Sequence, residues 1–142
     1  MDKNQGSLTY RYENLVDAIL SPVELFSDVY NNHKSYLTNA LWDTGAMLSV
    51  ISPEVVTKLE LDTIDTIQIA GINGESTVEV AITSIRFPNG VVIEDVRVAI
   101  CSMTQENEMI IGMDIIAQMD MAITNGDKKT QFSFIFLRKK VK

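Results

Sequence analysis

The sequence predicts an all-β fold, a barrel or sandwich of short strands with one or two short helices. Three observations carry that expectation. Ile, Val and Thr number 16, 13 and 11, so 40 of 142 residues are β-branched; such side chains are stiff at the first torsion and suit a pleated surface. Turn signals recur at short intervals, at Asn31-Asn32-His33, Gly71-Ile72-Asn73-Gly74, Pro88-Asn89-Gly90 and Asn125-Gly126-Asp127, which is the punctuation of many short strands. Only two segments read as helix starts, and both helices are short. A length of 142 residues suits one domain.

Taken in order, residues 1–15 are polar at their start and read as an N-terminal extension, mobile or loosely docked. The domain itself reads as 16–137, with 138–142 as a basic tail. Asn14 to Tyr30 is mixed, and Pro22 places its strand at an edge or a bend. Lys34 to Trp42 reads as a strand, so 18–42 becomes a hairpin that runs straight into Asp43. After the apolar run Met47 to Ile51, Ser52-Pro53-Glu54 supplies an N-cap, a first-turn proline and a first-turn acid. Those residues start a helix over 53–59. Thr66 to Ala70 alternates as a strand, 71–74 turns, and Ser76 to Ile82 returns. A second hairpin runs from Ala81 to Phe87 and back through Val91 to Ile100, around Asn89-Gly90, two residues that tolerate positive φ. Met109-Ile110-Ile111 is a short buried strand, Gly112 opens a helix over 113–119, and strands near 121–124 and 130–137 close the chain.

Charge and composition narrow the function classes. The net charge is −7, which argues against nucleic acid as a partner. It is unevenly spread: six of the twelve basic residues lie in the last fifteen positions, while 1–127 hold six basic residues against nineteen acids, a net of −13. That basic end reads either as a solvated, lysine-guarded edge or as a segment that meets an acidic neighbour. No apolar run approaches the roughly 20 residues that span a bilayer, and the first residues lack the pattern of a secretory signal. The expectation is therefore a cytoplasmic protein with no membrane partner. A single cysteine, Cys101, makes no internal disulfide. With one histidine, His33, in a turn, neither a metal nor another cofactor is expected. Cys101 reads as a small hydrophobe, Trp42 as a packing anchor and Asp114 as a helix-start charge.

Asp43-Thr44-Gly45 is the feature most suited to chemistry. An apolar lead-in, Ala40-Leu41-Trp42, brings a strand to the carboxylate from inside the fold. The glycine allows a tight turn, and the threonine hydroxyl both donates and accepts. Ala40-Leu41-Trp42-Asp43-Thr44-Gly45-Ala46, followed by Val50-Ile51-Ser52, resembles the catalytic loop of retropepsin-like aspartic proteases. Ile69-Ala70-Gly71-Ile72-Asn73-Gly74 resembles that family's glycine-rich flap tip, and Ile110-Ile111-Gly112-Met113-Asp114-Ile115-Ile116 resembles the segment entering its C-terminal helix. The resemblance spans about residues 18–137.

It implies a retropepsin-like closed β-barrel with a flap hairpin, working as a homodimeric aspartic endopeptidase. Aspartic proteolysis needs two carboxylates that share a proton, one acting as base on a water and the other as acid toward the peptide carbonyl. One Asp-Thr-Gly per chain leaves Asp43 of a second copy as the other carboxylate, across a twofold axis. The resemblance assigns catalysis to Asp43, Thr44 and Gly45. It assigns substrate contact to Ala46, Leu48, Val50 and Ile110, and to the flap residues Ile69, Gly71, Ile72, Asn73 and Gly74. The partners it implies are a second copy and a peptide or protein substrate.

This sequence departs from the family pattern at three places. Ala46 stands where pepsin-like relatives often carry a hydroxyl that favours the charged carboxylate, so activity is expected in weak rather than strong acid. Met47 and Met113 replace the aspartate and arginine that commonly pair in the retroviral enzymes, so an apolar contact is expected there. Asn73 replaces a flap glycine and keeps the turn with less mobility. A second function class follows from the missing ion pair: a retropepsin-like dimerisation or peptide-binding module with little or no proteolysis. No cleavage motif follows from the sequence.

Overall fold

The structure is a computed structural model that describes residues 6–29, 31–71, 74–103 and 107–137. Within them the β-branched and aromatic content is spent on ten strands in two sheets, with two short helices between strands. The expected all-β class is what the chain has. Strands are β1 (Ser7–Arg11), β2 (Leu20–Val29), β3 (Asn32–Trp42), β4 (Val50–Ile51), β5 (Asp65–Gly71), β6 (Gly74–Arg86), β7 (Val92–Ile100), β8 (Asn107–Ile111), β9 (Met119–Thr124) and β10 (Gln131–Phe136). The larger sheet runs β2-β3-β8-β4-β7-β6-β5, and the smaller runs β1-β10-β9. Strand β2 also pairs with β6 through Glu24↔Arg86, Leu25↔Ile85 and Phe26↔Ser84. The larger sheet thereby curls back on itself.

Period-two alternation sets the inside of the sheet. Ala81, Thr83, Ile85 and Phe87 are buried along and just beyond β6, and Val23 and Leu25 along β2. Pro22 is exposed and pairs with Asn39, in the stretch of β2 that has β3 alone as its neighbour. A proline without an N–H is tolerated there. Strand β10 turns Phe132 and Phe134 inward, and their rings meet Trp42 at centroid distances of 4.9 and 5.1 Å. Trp42 Nε1 also donates to the buried Ser21 hydroxyl at 2.7 Å. Trp42 is therefore the anchor its position suggested, pinned one residue before Asp43.

Helix α1 is Pro53–Leu59, the span read from its cap: Ser52 Oγ accepts from the Val55 N–H at 3.3 Å. Three segments differ from the expectation. Residues 7–11, read as part of a loose extension, form β1 and pair with β10 from Ser7↔Ile135 to Arg11↔Gln131. The two strands expected at 76–82 and 81–87 are one strand of thirteen residues, β6, because neither glycine nor proline interrupts the chain between Glu75 and Arg86. Helix α2 is only Met113–Ile116, since Met119 is already committed to β9 opposite Phe136. The basic tail 138–142 and the flap residues Ile72 and Asn73 lie outside the described residues. Among the described residues no helix is long and apolar enough to cross a membrane.

Candidate active site

Strand β3 ends at Trp42, and the next N–H, that of Asp43, donates to the Ile111 carbonyl of β8 at 2.9 Å. The loop then turns at once. Ala46 N–H returns to the Asp43 carbonyl at 3.2 Å, and Gly45 N–H donates to Asp43 Oδ1 at 2.8 Å. That bond orients the carboxylate and leaves its other oxygen uncommitted among the described residues. Asp43 is half-buried, while Thr44 and Gly45 are exposed. The carboxylate thus sits at the surface of a single chain, on a turn held at its base.

The far side of the loop is fastened to α2. Met113 N–H donates to the Ala46 carbonyl at 2.8 Å, and Asp114 N–H to that of Met47 at 3.2 Å. Between them Ser49, fully buried, acts as a rivet. Its hydroxyl donates to Asp114 Oδ1 at 2.8 Å and accepts from Gly112 N–H at 3.0 Å, while its own N–H donates to Asp114 Oδ2 at 3.0 Å. Asp114 Oδ1 also accepts from Ile115 N–H at 2.9 Å, so Asp114 does charge a helix start, and it clamps the loop as well. Gly112 completes the joint: a Cβ there would lie 2.8 Å from the carbonyl oxygens of Ala46 and Leu48. Its φ of −99° is open to any residue; the glycine is required by space alone. Sequence reasoning missed Ser49. Its one visible signal was a small hydroxyl in an otherwise apolar run.

Of the residues assigned by resemblance, the fold brings Asp43, Thr44, Gly45, Ala46, Leu48, Val50 and Ile110 into one neighbourhood. Val50 of β4 pairs with Ile110 of β8, and Ile110 also pairs with Leu41 of β3, which makes a half-buried apolar wall beside the loop. Ile69, Gly71 and Gly74 lie on the separate β5–β6 hairpin, where Ile69 faces Ser76 and Gly71 faces Gly74. Gly74 has φ +100°, a value L side chains rarely adopt. Among the described residues no hydrogen bond ties this hairpin to the 43–50 loop. Met47 and Met113 are 81% and 39% exposed, so the apolar contact expected between them is not a buried one within the single chain. With Leu48, 36% exposed, they edge the loop with apolar surface.

A second joint holds the wall from behind. Glu108 occupies a bulge of β8, between the pairs Asn39↔Asn107 and Ala40↔Met109. Its carboxylate accepts from the Tyr36 hydroxyl and, at 3.4 Å, from the Ser52 hydroxyl of the α1 cap. The bond to Glu108 pushes the Tyr36 phenol up to about 12, with burial and the charges of Glu108 and Glu54 adding to it. Unfolded chains lose this proton near 10.0. Between the two values the unfolded state binds fewer protons, so stability falls as pH rises through that window. Urea midpoints measured across it are expected to decline less steeply in Tyr36→Phe than in the unsubstituted protein; equal slopes would remove Glu108 as the cause.

Elsewhere the titratable candidates are accounted for. His33, expected in a turn, lies at the exposed start of β3, where it pairs with Asp28 and lies against the Phe26 ring. Cys101 follows β7, half-buried, and burial raises its thiol. Among the described residues no group of three His, Cys, Asp or Glu side chains is placed to hold a metal ion.

Residues 29–115, which carry the Asp43 loop, α1, the β5–β6 hairpin and Gly112, match the family described as aspartyl protease. No curated protein is significantly similar to the chain. Among solved structures, EIAV protease complexed with the inhibitor HBY-793 is similar at 21% identity and a TM-score of 0.50, over 73% of this chain and 89% of that one. A retropepsin-like aspartic protease from Rickettsia conorii is similar at 15% identity and a TM-score of 0.57, over 89% of this chain and 98% of that one. At such identities the likeness is one of fold.

Proposed function

This chain belongs to the aspartyl protease family and has the retropepsin-like fold, and from that premise we propose that it is a homodimeric aspartic endopeptidase whose dyad is Asp43 from each of two copies. The observation that carries the reading is the presentation of Asp43. One oxygen is held by Gly45 N–H, on a turn exposed at the surface and edged by Met47, Leu48 and Met113. A lone surface carboxylate does no aspartic proteolysis; two of them meeting across a twofold axis do.

In the assembled pair, like charges about 3 Å apart cannot both ionise, so one proton is shared between them. The ionised Asp43 takes a proton from a water. That water's oxygen bonds to the peptide carbon, and the protonated partner carboxyl delivers its proton to the carbonyl oxygen. Collapse of the resulting diol breaks the C–N bond, with a proton passing to the leaving nitrogen. The dyad ends as it began, without metal and without a covalent intermediate. Thr44 stiffens the pair from the turn. Gly45, Ala46, Leu48, Val50 and Ile110 line the floor, and the hairpin bearing Ile69, Gly71, Ile72, Asn73 and Gly74 closes over an extended peptide, bonding it as an added strand.

Purified protein mixed with an unfolded peptide pool at about pH 5 tests this. Cleavage supports the enzyme. A dimer that binds peptides and cuts none supports the second reading, a binding module, which the exposed methionines at the ion-pair positions favour. Ala46 bears on the pH profile. A hydroxyl there would donate to the charged carboxylate and favour ionisation, so Ala46→Ser is expected to move the activity optimum down by up to about one pH unit. An unmoved optimum would contradict that role for position 46.

A further inference from the structure

We propose that Met47 and Met113 form a reversible oxidation site, at which hydrogen peroxide converts both thioethers to sulfoxides and so takes the dimer apart. The inference rests on the homodimeric reading above and adds to it a means of control.

The fold sorts the methionines. Of the six among the described residues, Met109 and Met119 are buried, and Met103 and Met121 are half-buried. Met47 and Met113 are the exposed ones, at 81% and 39%. These two come from distant parts of the chain and meet at one joint. Met113 N–H donates to the Ala46 carbonyl at 2.8 Å, and Asp114 N–H to that of Met47 at 3.2 Å. The two side chains therefore leave facing segments of backbone, and Met47 stands four residues after the Asp43 carboxylate. They occupy the positions where the resemblance places an aspartate and an arginine. An ion pair is inert to peroxide; a pair of thioethers is not.

In the oxidation a sulfur lone pair attacks one peroxide oxygen, and the S–O bond forms as the O–O bond breaks. The proton on the transferred oxygen passes to the departing hydroxide, which leaves as water. Sulfur loses two electrons and peroxide gains them. A methionine sulfoxide reductase drawing on a dithiol returns the thioether, with water and a disulfide as the other products.

The consequence follows from polarity. A thioether is apolar and flexible, whereas a sulfoxide is a polar acceptor. On the single chain, water solvates it. Closed against a second copy, it must find a donor or stay unpaired at a cost. A twofold dimer carries the change on both copies, so four sulfoxides oppose its closure. The joint beneath keeps its bonds: Ser49 is fully buried and holds Asp114 through both its hydroxyl and its N–H. Oxidation thus alters the rim and leaves the fold.

Brief treatment of the full chain with hydrogen peroxide, followed by peptide mass mapping and sedimentation velocity, tests the proposal. Oxygen is expected at Met47 and Met113 before any other described methionine. It should enter more slowly as protein concentration rises, because the single chain is the form that reacts. The dimer dissociation constant is expected to rise about tenfold or more, with the far-UV circular dichroism unchanged. M47L/M113L, apolar and of similar volume, should stay dimeric at the same dose. Restoration of the dimer by the reductase, as the map shows oxygen leaving these two positions, assigns the effect without any substitution. A dimer of unchanged affinity with sulfoxide at both positions would overturn the proposal. So would oxygen entering Met103 or Met121 first, or equal loss of the dimer in M47L/M113L. A chain that is monomeric in the untreated sample contradicts the dimeric reading itself, so the two failures are told apart before peroxide is added.

Discussion

Asp43→Asn is expected to lower peptide hydrolysis by at least about 10³-fold while leaving the fold in place. Asparagine has nearly the same shape, and its side-chain oxygen can still accept from Gly45 N–H, the contact that orients Asp43 at 2.8 Å. The change in folding stability should therefore stay within about 0.5 kcal/mol. What disappears is the group that takes the proton from water. In a symmetric pair the substitution removes both carboxylates at once, so no residual base remains on the axis. Turnover of an unfolded peptide pool, beside a urea melt of the same sample, separates the two effects. Retained cleavage would move the chemistry elsewhere in the chain; lost cleavage with a lost fold would say nothing of Asp43, and the melt detects that case.

Gly112→Ala is expected to cost about 2–4 kcal/mol of stability and most of the activity with it. The added methyl would meet the carbonyl oxygens of Ala46 and Leu48 at 2.8 Å and the Leu48 carbonyl carbon at 2.9 Å. All three are backbone, so no side chain can swing aside. Relief requires α2 and the Asp43 loop to part, which strains the bonds Met113 N–H to Ala46 and Asp114 N–H to Met47, and the Ser49 rivet beside them. Gly74→Ala makes an informative contrast. Gly74 needs its glycine for φ +100°, and an added Cβ there would meet nothing within 4 Å beyond its chain neighbours, so its cost is conformational and confined to the hairpin. A Gly112→Ala protein as stable as its parent would show that loop and helix are not held together at this joint.

Local signals were legible in the sequence, and long-range ones were not. Ser52-Pro53-Glu54 places α1 to the residue because a cap is a contact between near neighbours. The hairpin leading to Asp43 was readable from alternation and one turn. Strand β1 was not, since five half-polar residues read as an extension until β10, more than a hundred positions away, pairs with them. The same holds for the β2–β6 pairing that curls the larger sheet. In the site, the Asp43 loop was legible from the Asp43-Thr44-Gly45 motif, its apolar lead-in and the resemblance they carry. Its fastening was not: Ser49 and Asp114 are sixty-five positions apart, and the crowding that demands Gly112 exists only once α2 lies against the loop. Strand β6 was divided in the sequence reading because two overlapping hairpins were each given their own strand, where one long strand serves both.

The claim on which the functional account turns is that two chains share one active site. Mixing the unsubstituted protein with increasing Asp43→Asn protein, and measuring peptide cleavage after subunit exchange, tests it most directly. If the dyad is built from two copies, each mixed pair is inactive. Activity per unsubstituted chain should then fall with that chain's share of the mixture, to about a tenth at ninefold excess of the variant. Activity that stays constant however much Asp43→Asn is added would mean that one chain cuts peptides alone.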